Sequence, residues 1–174
     1  GPVEVEAKKQ NIKIFNPKSL KNDEQSFEEF KSLKPDICIV AAFGKILPSR
    51  YLDIPNYGFL NIHPSVLPKY RGPSPVQTAI INGDKETGVS IMMVDEQIDH
   101  GPVVAMAPYK ISGSKNNIEI SNDLFLLGAQ LLVEILPKYI SGEISPAEQN
   151  HDYATFTKMF SRDDGRINLD ADAE

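Results

Sequence analysis

A chain of 174 residues, 41% hydrophobic and 24% charged, has the size of one domain and enough apolar side chains to bury a core. Its formal charge of −6 argues against a stand-alone nucleic-acid binder, which would carry a basic face, so any nucleic-acid contact is expected to be local. The single cysteine, Cys38, lies in "ICIVAAF", cannot form an internal disulfide, and points to a reducing, cytoplasmic compartment. No apolar stretch reaches the roughly 18 to 20 residues of a bilayer span and no signal-peptide pattern opens the chain, so no membrane association is expected.

The elements alternate. "VEVEAKKQN" is rich in helix formers, and "IKIF" (12–15) reads as a short strand. "DEQSFEEFKSLK" is amphipathic, with Phe27, Phe30 and Leu33 at helical spacing behind a cap candidate, Asp23. "PDICIVAA" is a continuous apolar run of the kind found in parallel strands covered on both faces. A Gly- and Pro-containing loop, "FGKILPSRYLDIPNYG", leads to the next strand, "FLNIH". "SPVQTAIING" is a helix closed by Asn82-Gly83, and the strands "TGVSIMMVD" and "VVAMAPYKI" flank "EQIDHGP". From 118 to 140 a long helix carries Ile120, Leu124, Leu127, Leu131 and Ile135 on one face. After Gly142 the chain turns polar, and "SRDDGRINLDADAE" reads as a linker. The result is an α/β sheet flanked by helices.

Such sheets place ligands at the carboxyl ends of their strands, and three segments are expected there: the Phe43-Gly44 loop, Asn61 to Pro64, and the Asp95 to Gly101 loop. Strand alternation puts Asn61 and His63 on one side, where a carboxamide and an imidazole can address a single small group. Pro64 then stops the ladder and leaves the pair at a sheet end. Asp99, on a neighbouring loop, is positioned to orient His63. The bland alternatives are a turn histidine before proline and a solvated acidic loop. A metal site of His63, Asp99 and His100 would leave Asn61 without a part. A calcium loop in "DEQIDHG" fails because Ile98 stands where an oxygen ligand or glycine is needed. Phosphate-cradling glycine loops, the hydrolase G-x-S-x-G and paired CxxC motifs are missing from the sequence.

"LNIHPSVLPKYRG" followed by "DEQIDHG" resembles the folate-dependent formyltransferases, which carry an Asn-x-His-Pro-Ser stretch and a later Asp-x-Gly. The run "YRGPSPVQTAIINGDKETGVSIMMVDEQIDHGPVVA" is most similar to the branch that acts on initiator tRNA, and the likeness extends from about Val3 to Asn168. It implies a Rossmann-like formyltransferase domain with a mostly parallel sheet, incomplete at its N-terminus. Residues 1–160 would form the partial catalytic domain, and 161–174 a linker toward a C-terminal domain. The implied activity is transfer of a formyl group from 10-formyltetrahydrofolate to the amino group of methionine on initiator methionyl-tRNA, by a monomer and without a metal. Formylation of a sugar-nucleotide amine, or a non-catalytic folate-binding fragment, are the alternatives.

The chemistry suits the three residues. Moving a formyl group between nitrogens passes through a tetrahedral centre with negative charge on oxygen, for which Asn61 and His63 can donate hydrogen bonds while Asp99 shuttles protons. The resemblance assigns the pterin pocket to Phe43, Gly44, Ile46 and Leu47, to Ser65, Leu67 and Pro68, and to Asp95, Gln97 and Ile98. Lys69, Tyr70 and Arg71 are expected at the tRNA acceptor end. In the Asp loop, Gln97 and His100 stand where the family usually has Gly and Thr.

Overall fold

Pro2 at the first turn and Lys8 and Lys9 in the last suit helix α1, Pro2–Lys9. The computed structural model describes residues 1–17 and 19–166. Segment 12–15, expected as a strand, is irregular: none of the described strands pairs with it, and Lys13 instead reaches Glu29 at 3.0 Å. Glu29 belongs to α2, Glu24–Ser32, whose first free N–H groups are capped by Asp23 accepting from Ser26 N–H. Phe27 and Phe30 of α2 pack on Tyr51 with ring centroids 5.0 and 5.3 Å apart. Leu33, at the helix end, remains exposed.

Four strands form one sheet in the order β1 (Cys38–Ala41), β2 (Phe59–His63), β3 (Glu86–Met93), β4 (Val103–Lys110). Between them stand α3 (Ser49–Leu52), α4 (Pro75–Ile81) and, after β4, α5 (Asn117–Ile140). The expectation of a mostly parallel sheet is corrected: β1 and β2 are parallel, but β2–β3 and β3–β4 are antiparallel. The connection 94–102 between β3 and β4 holds no crossover helix of the kind that would keep them parallel, whereas β2 and β3 are antiparallel although α4 lies between them. The run "PDICIVAA", expected to be covered on both faces, is not: β1 alternates between partly buried and exposed residues, with Ile39 43% exposed. The antiparallel β3 is instead the strand buried on both faces, by α5 on one side and the 63–72 turn on the other.

Alternation along β2 divides the site from the core. Leu60 and Ile62 join Val89, Ile91, Val104, Leu132 and Ile135 in the main cluster beneath α5. Asn61 and His63 therefore project from the opposite face. Helix α5 starts in a capping box of Asn116 and Glu119 and buries the expected Ile120, Leu124 and Ile135 in one stripe with Gly128 and Leu132, while the expected Leu127 and Leu131 pack partly buried against the same core. Gly128 centres it, because a Cβ there would lie 2.5 Å from Ile62 Cγ2 and 2.9 Å from Val89 Cγ2. One helix, against expectation, is long and apolar enough to reach the length of a bilayer span. By length and composition α5 qualifies, with mean hydropathy 1.3, yet its apolar stripe is spent on the sheet.

Cys38 is half-buried, and burial pushes its thiol up to about 11, which leaves little thiolate at neutral pH. Beyond α5 the chain crosses the site face as a strap. Ala147 bridges Val103, and Phe156 bridges Arg71. Arg162–Gly165 makes one 3-10 turn within the expected linker, whose residues 167–174 lie outside the described residues.

Candidate active site

Asn61, His63 and Asp99 are brought together. Asn61 Nδ2 donates to Asp99 Oδ1 over 3.4 Å, and His63 Nδ1 stands 3.5 Å from the same oxygen. Asp99 does not arrive at a shared carboxyl edge, as the sequence led us to expect. Because β3 runs antiparallel to β2, its C-terminal Met93 sits beside Leu60, and the 94–102 loop must fold back over the sheet face to reach His63. Asp99 makes that return with a left-handed backbone, φ 46°, which is costly for a residue with a Cβ.

The imidazole is 4% exposed and its tautomer is fixed by geometry. The Tyr70 carbonyl, 2.9 Å from His63 Nε2, can only accept, so Nε2 carries a hydrogen. Nδ1 is then the nitrogen that faces Asp99, and it can donate only when the ring is doubly protonated. The expected role of His63 as a donor is thus confined to Nδ1 of the imidazolium, with the Asp99 carboxylate as its counter-charge. The other carboxylate oxygen accepts from Gly72 N–H at 2.8 Å, a contact that no sequence pattern flagged.

The residues assigned to a pterin pocket separate into two groups. Phe43, Gly44, Ile46, Gln97 and Ile98 are exposed, Leu47 is half-buried, and the two loops that carry them meet where Ser49 Oγ donates to Glu96 at 2.6 Å. Ile46 borders a cleft of about 530 Å³ with Leu20, Lys21, Lys45 and Pro48. Ser65 and Leu67 are buried and serve the scaffold instead: Ser65 Oγ donates to the Lys69 carbonyl, and Leu67 packs on Met92 and Val103. The Leu67-Pro68 peptide is cis. Asp95 accepts from Gln97 N–H and pairs with His100 Nδ1 at 2.6 Å. His100 is thereby turned to a carboxylate other than Asp99, and among the described residues no group of three or more His, Cys, Asp or Glu side chains is placed to hold a metal.

The basic turn also differs from expectation. Tyr70 and Arg71 are 5% and 3% exposed, so the side chains expected at a tRNA end are committed inside the protein. Arg71 donates to Gln149 and His151, and burial pulls its guanidinium below its ordinary pKa against the opposing charges of Asp95 and Asp99. Tyr70 Oη donates to Asp84 at 2.7 Å, and Lys69, the half-exposed member, donates to the same carboxylate at 2.8 Å. Burial alone would push the Asp84 carboxyl up, but these two bonds and the Lys69 charge outweigh it and leave its pKa below the ordinary value. A carboxyl depressed by folding stabilises the fold above its unfolded pKa and stops doing so as pH falls through its folded one. Asp84→Asn is therefore expected to cost about 1 kcal/mol at pH 7. In urea titrations the two proteins should converge toward pH 3 and below; an equal gap at both pH values would remove the charge from this account.

Fold and site together define a Rossmann-like α/β domain of the formyltransferase kind. The formyl transferase family model matches residues 1–136, and the chain belongs to that family. It is 44% identical over 166 residues to the methionyl-tRNA formyltransferase of Chloroflexus aurantiacus, an alignment covering 95% of this chain and 53% of that protein. The chain thus spans about half the length of the curated relatives it matches. Among solved structures, methionyl-tRNA formyltransferase from Clostridium thermocellum superposes with a TM-score of 0.69 at 24% identity, covering 97% of this chain and 71% of that one. The N-formyltransferase from Helicobacter canadensis, in complex with folinic acid and dTDP-3-aminofucose, gives 0.71 at 24% identity, covering 97% and 56%. Both likenesses concern the fold.

Proposed function

We propose that the protein transfers a formyl group from 10-formyltetrahydrofolate to the amino group of methionine on initiator methionyl-tRNA, as a monomer in the cytoplasm. The observation that carries the reading is the meeting of Asn61 Nδ2 and His63 Nδ1 at one oxygen of Asp99. The 44% identity to a methionyl-tRNA formyltransferase supports the choice of acceptor, and the lone cysteine suits a reducing compartment.

The chemistry asks for three services. The amine must lose a proton as its nitrogen bonds to the formyl carbon; the carbonyl oxygen must be stabilised as it becomes negative; and the departing nitrogen must gain a proton as its bond to carbon breaks. Asn61 has a second Nδ2 hydrogen for the oxygen, and imidazolium Nδ1–H of His63 supplies another donor, each worth on the order of 3 kcal/mol in such sites. Asp99 accepts the proton given up by the amine and returns it toward the leaving nitrogen, directly or through water. The exposed apolar groups of Phe43, Ile46 and Ile98, on two loops that meet at Ser49 and Glu96, offer apolar surface for a flat heterocycle, with Leu47 next in the chain and Gly44 letting the turn adopt φ 68°.

The test supplies the full-length protein with 10-formyltetrahydrofolate and either charged initiator tRNA or a dTDP-linked amino sugar. Formyl incorporation into the tRNA is expected, with the amino sugar at least about 10²-fold poorer, since a site built for one acceptor leaves polar groups unpaired with another. Preference for the amino sugar would transfer the protein to that branch, and no transfer to either would reduce it to a binding module.

A further inference from the structure

The strap that crosses the site face carries one side chain joined to the Asp99 loop on both sides of His100. Gln149 is 7% exposed, and all of its amide is used. Nε2 donates to the Asp99 carbonyl at 3.0 Å and to the Gly101 carbonyl at 2.7 Å. Oε1 accepts from Arg71 Nε at 3.1 Å and Nη2 at 2.7 Å. The two carbonyls bracket His100, so a single amide group grips the loop on either side of the residue following Asp99.

This grip falls where the backbone needs it. Asp99 sits at φ 46°, a conformation that persists only when its surroundings over-determine it. On the far side, the Arg71 backbone exchanges hydrogen bonds with the strap, its N–H donating to the Thr155 carbonyl and its carbonyl accepting from Thr157 N–H, both at 2.8 Å. The next residue, Gly72, sends its N–H to Asp99 Oδ2. His151 stacks on His100 at 4.1 Å with ring planes 4° apart. The strap thus fixes both the loop that presents the carboxylate and the backbone donor that aims it.

We propose that Gln149 is a positioning residue for formyl transfer: it holds Asp99 in its strained backbone conformation and ties that conformation to Arg71 and Gly72. The proposal rests on the reading of Asn61, His63 and Asp99 as the transfer site. Its consequence is a rate effect without a binding effect. A carboxylate displaced by about 1 Å still lets substrates bind, but it loses its place beside His63 Nδ1, at a cost of about 10- to 100-fold in rate.

The experiment uses the full-length enzyme with Gln149→Glu, which keeps an acceptor for Arg71 and replaces the Nε2 donor by an oxygen facing two carbonyls. Gln149→Met, similar in length and without polar atoms, is the second variant. With 10-formyltetrahydrofolate and charged initiator tRNA, kcat should fall about 10- to 100-fold and both KM values should stay within about threefold. Amide hydrogen exchange at 99–101 should accelerate while α5 keeps its protection. Combined with Asp99→Ala, either variant should add little further loss, because the two act through one group. An unchanged kcat in both Gln149 variants overturns the proposal. So does full additivity with Asp99→Ala, or a failure of both variants to fold, which would make Gln149 a structural residue. If Asp99→Ala itself transfers at the normal rate, the failure belongs to the reading of the transfer site and not to the clamp.

Discussion

Asp99→Asn in the full-length enzyme is expected to lower the single-turnover rate of formyl transfer by about 10²-fold or more, while affinity for the folate changes little. The argument lies in the hydrogen-bond bookkeeping around the carboxylate. Its two oxygens accept from different donors: Oδ1 from Asn61 Nδ2, Oδ2 from Gly72 N–H. An amide in its place has only one oxygen. Turned toward the shorter and better bond, from Gly72 at 2.8 Å, that oxygen leaves the new NH₂ facing Asn61 Nδ2 and His63 Nδ1. The first contact becomes donor against donor. The second pins the imidazole with Nδ1 as an acceptor, since Nε2–H is held by the Tyr70 carbonyl, and so removes the protonated form that can donate to the developing oxyanion. Both the proton acceptor and the His63 donor are lost in one substitution. Folate affinity measured by titration, beside single-turnover transfer to charged initiator tRNA, separates this from a binding defect. A variant that binds folate poorly yet transfers normally once saturated would make Asp99 a pocket residue.

The same site shows which features were legible in the sequence. Asn61 and His63 were, because a strand's period of two is unambiguous and Pro64 marks where the ladder stops. Asp99 was legible as a partner but not by the route it takes. The apolar run "PDICIVAA" suggested a parallel strand covered on both faces, but β1 is partly exposed, and an apolar run carries no information about strand direction, so the antiparallel β3 and the folded-back loop escaped notice. The core face of α5 was legible through Ile120, Leu124, Leu127, Leu131 and Ile135, all of which pack on the core, but its close approach to the sheet at Gly128 was not, since that residue has no side chain to count. Tyr70 and Arg71 look like a basic-aromatic surface in one dimension. Their partners, Asp84, Gln149 and His151, lie up to 80 residues away, and only the fold reveals that they are satisfied inside. Gly72 contributes a backbone N–H, for which a glycine in a turn gives no distinguishing signal.

Gly101→Ala is expected to be the most damaging change that leaves every polar side chain of the site in place. Asp-His-Gly in the sequence places Asp99 two residues before the glycine, and the structure shows why the last position tolerates no Cβ. A methyl at Gly101 would lie 2.1 Å from the Met93 carbonyl oxygen and 3.1 Å from its carbon. Backbone cannot swing aside as a side-chain tip does, so the loop closure must open by about 1 Å to restore ordinary contact. At that point Met93 N–H donates to the Pro102 carbonyl at 2.8 Å, and the Gly101 carbonyl accepts from Gln149. Opening the closure strains both bonds and moves Asp99 with the loop. The expected loss is about 2 kcal/mol of stability, within the range for overpacking, together with about 10²-fold in transfer rate from misplacement. Gly113→Ala is the control, since a Cβ there meets nothing within 4 Å, and its stability should stay within about 0.5 kcal/mol of the parent. The two losses are separable: transfer measured well below the variant's melting temperature reports the displaced carboxylate alone. A Gly101→Ala enzyme that is destabilised but transfers at the parent rate when folded would show that Asp99 reaches His63 without this closure.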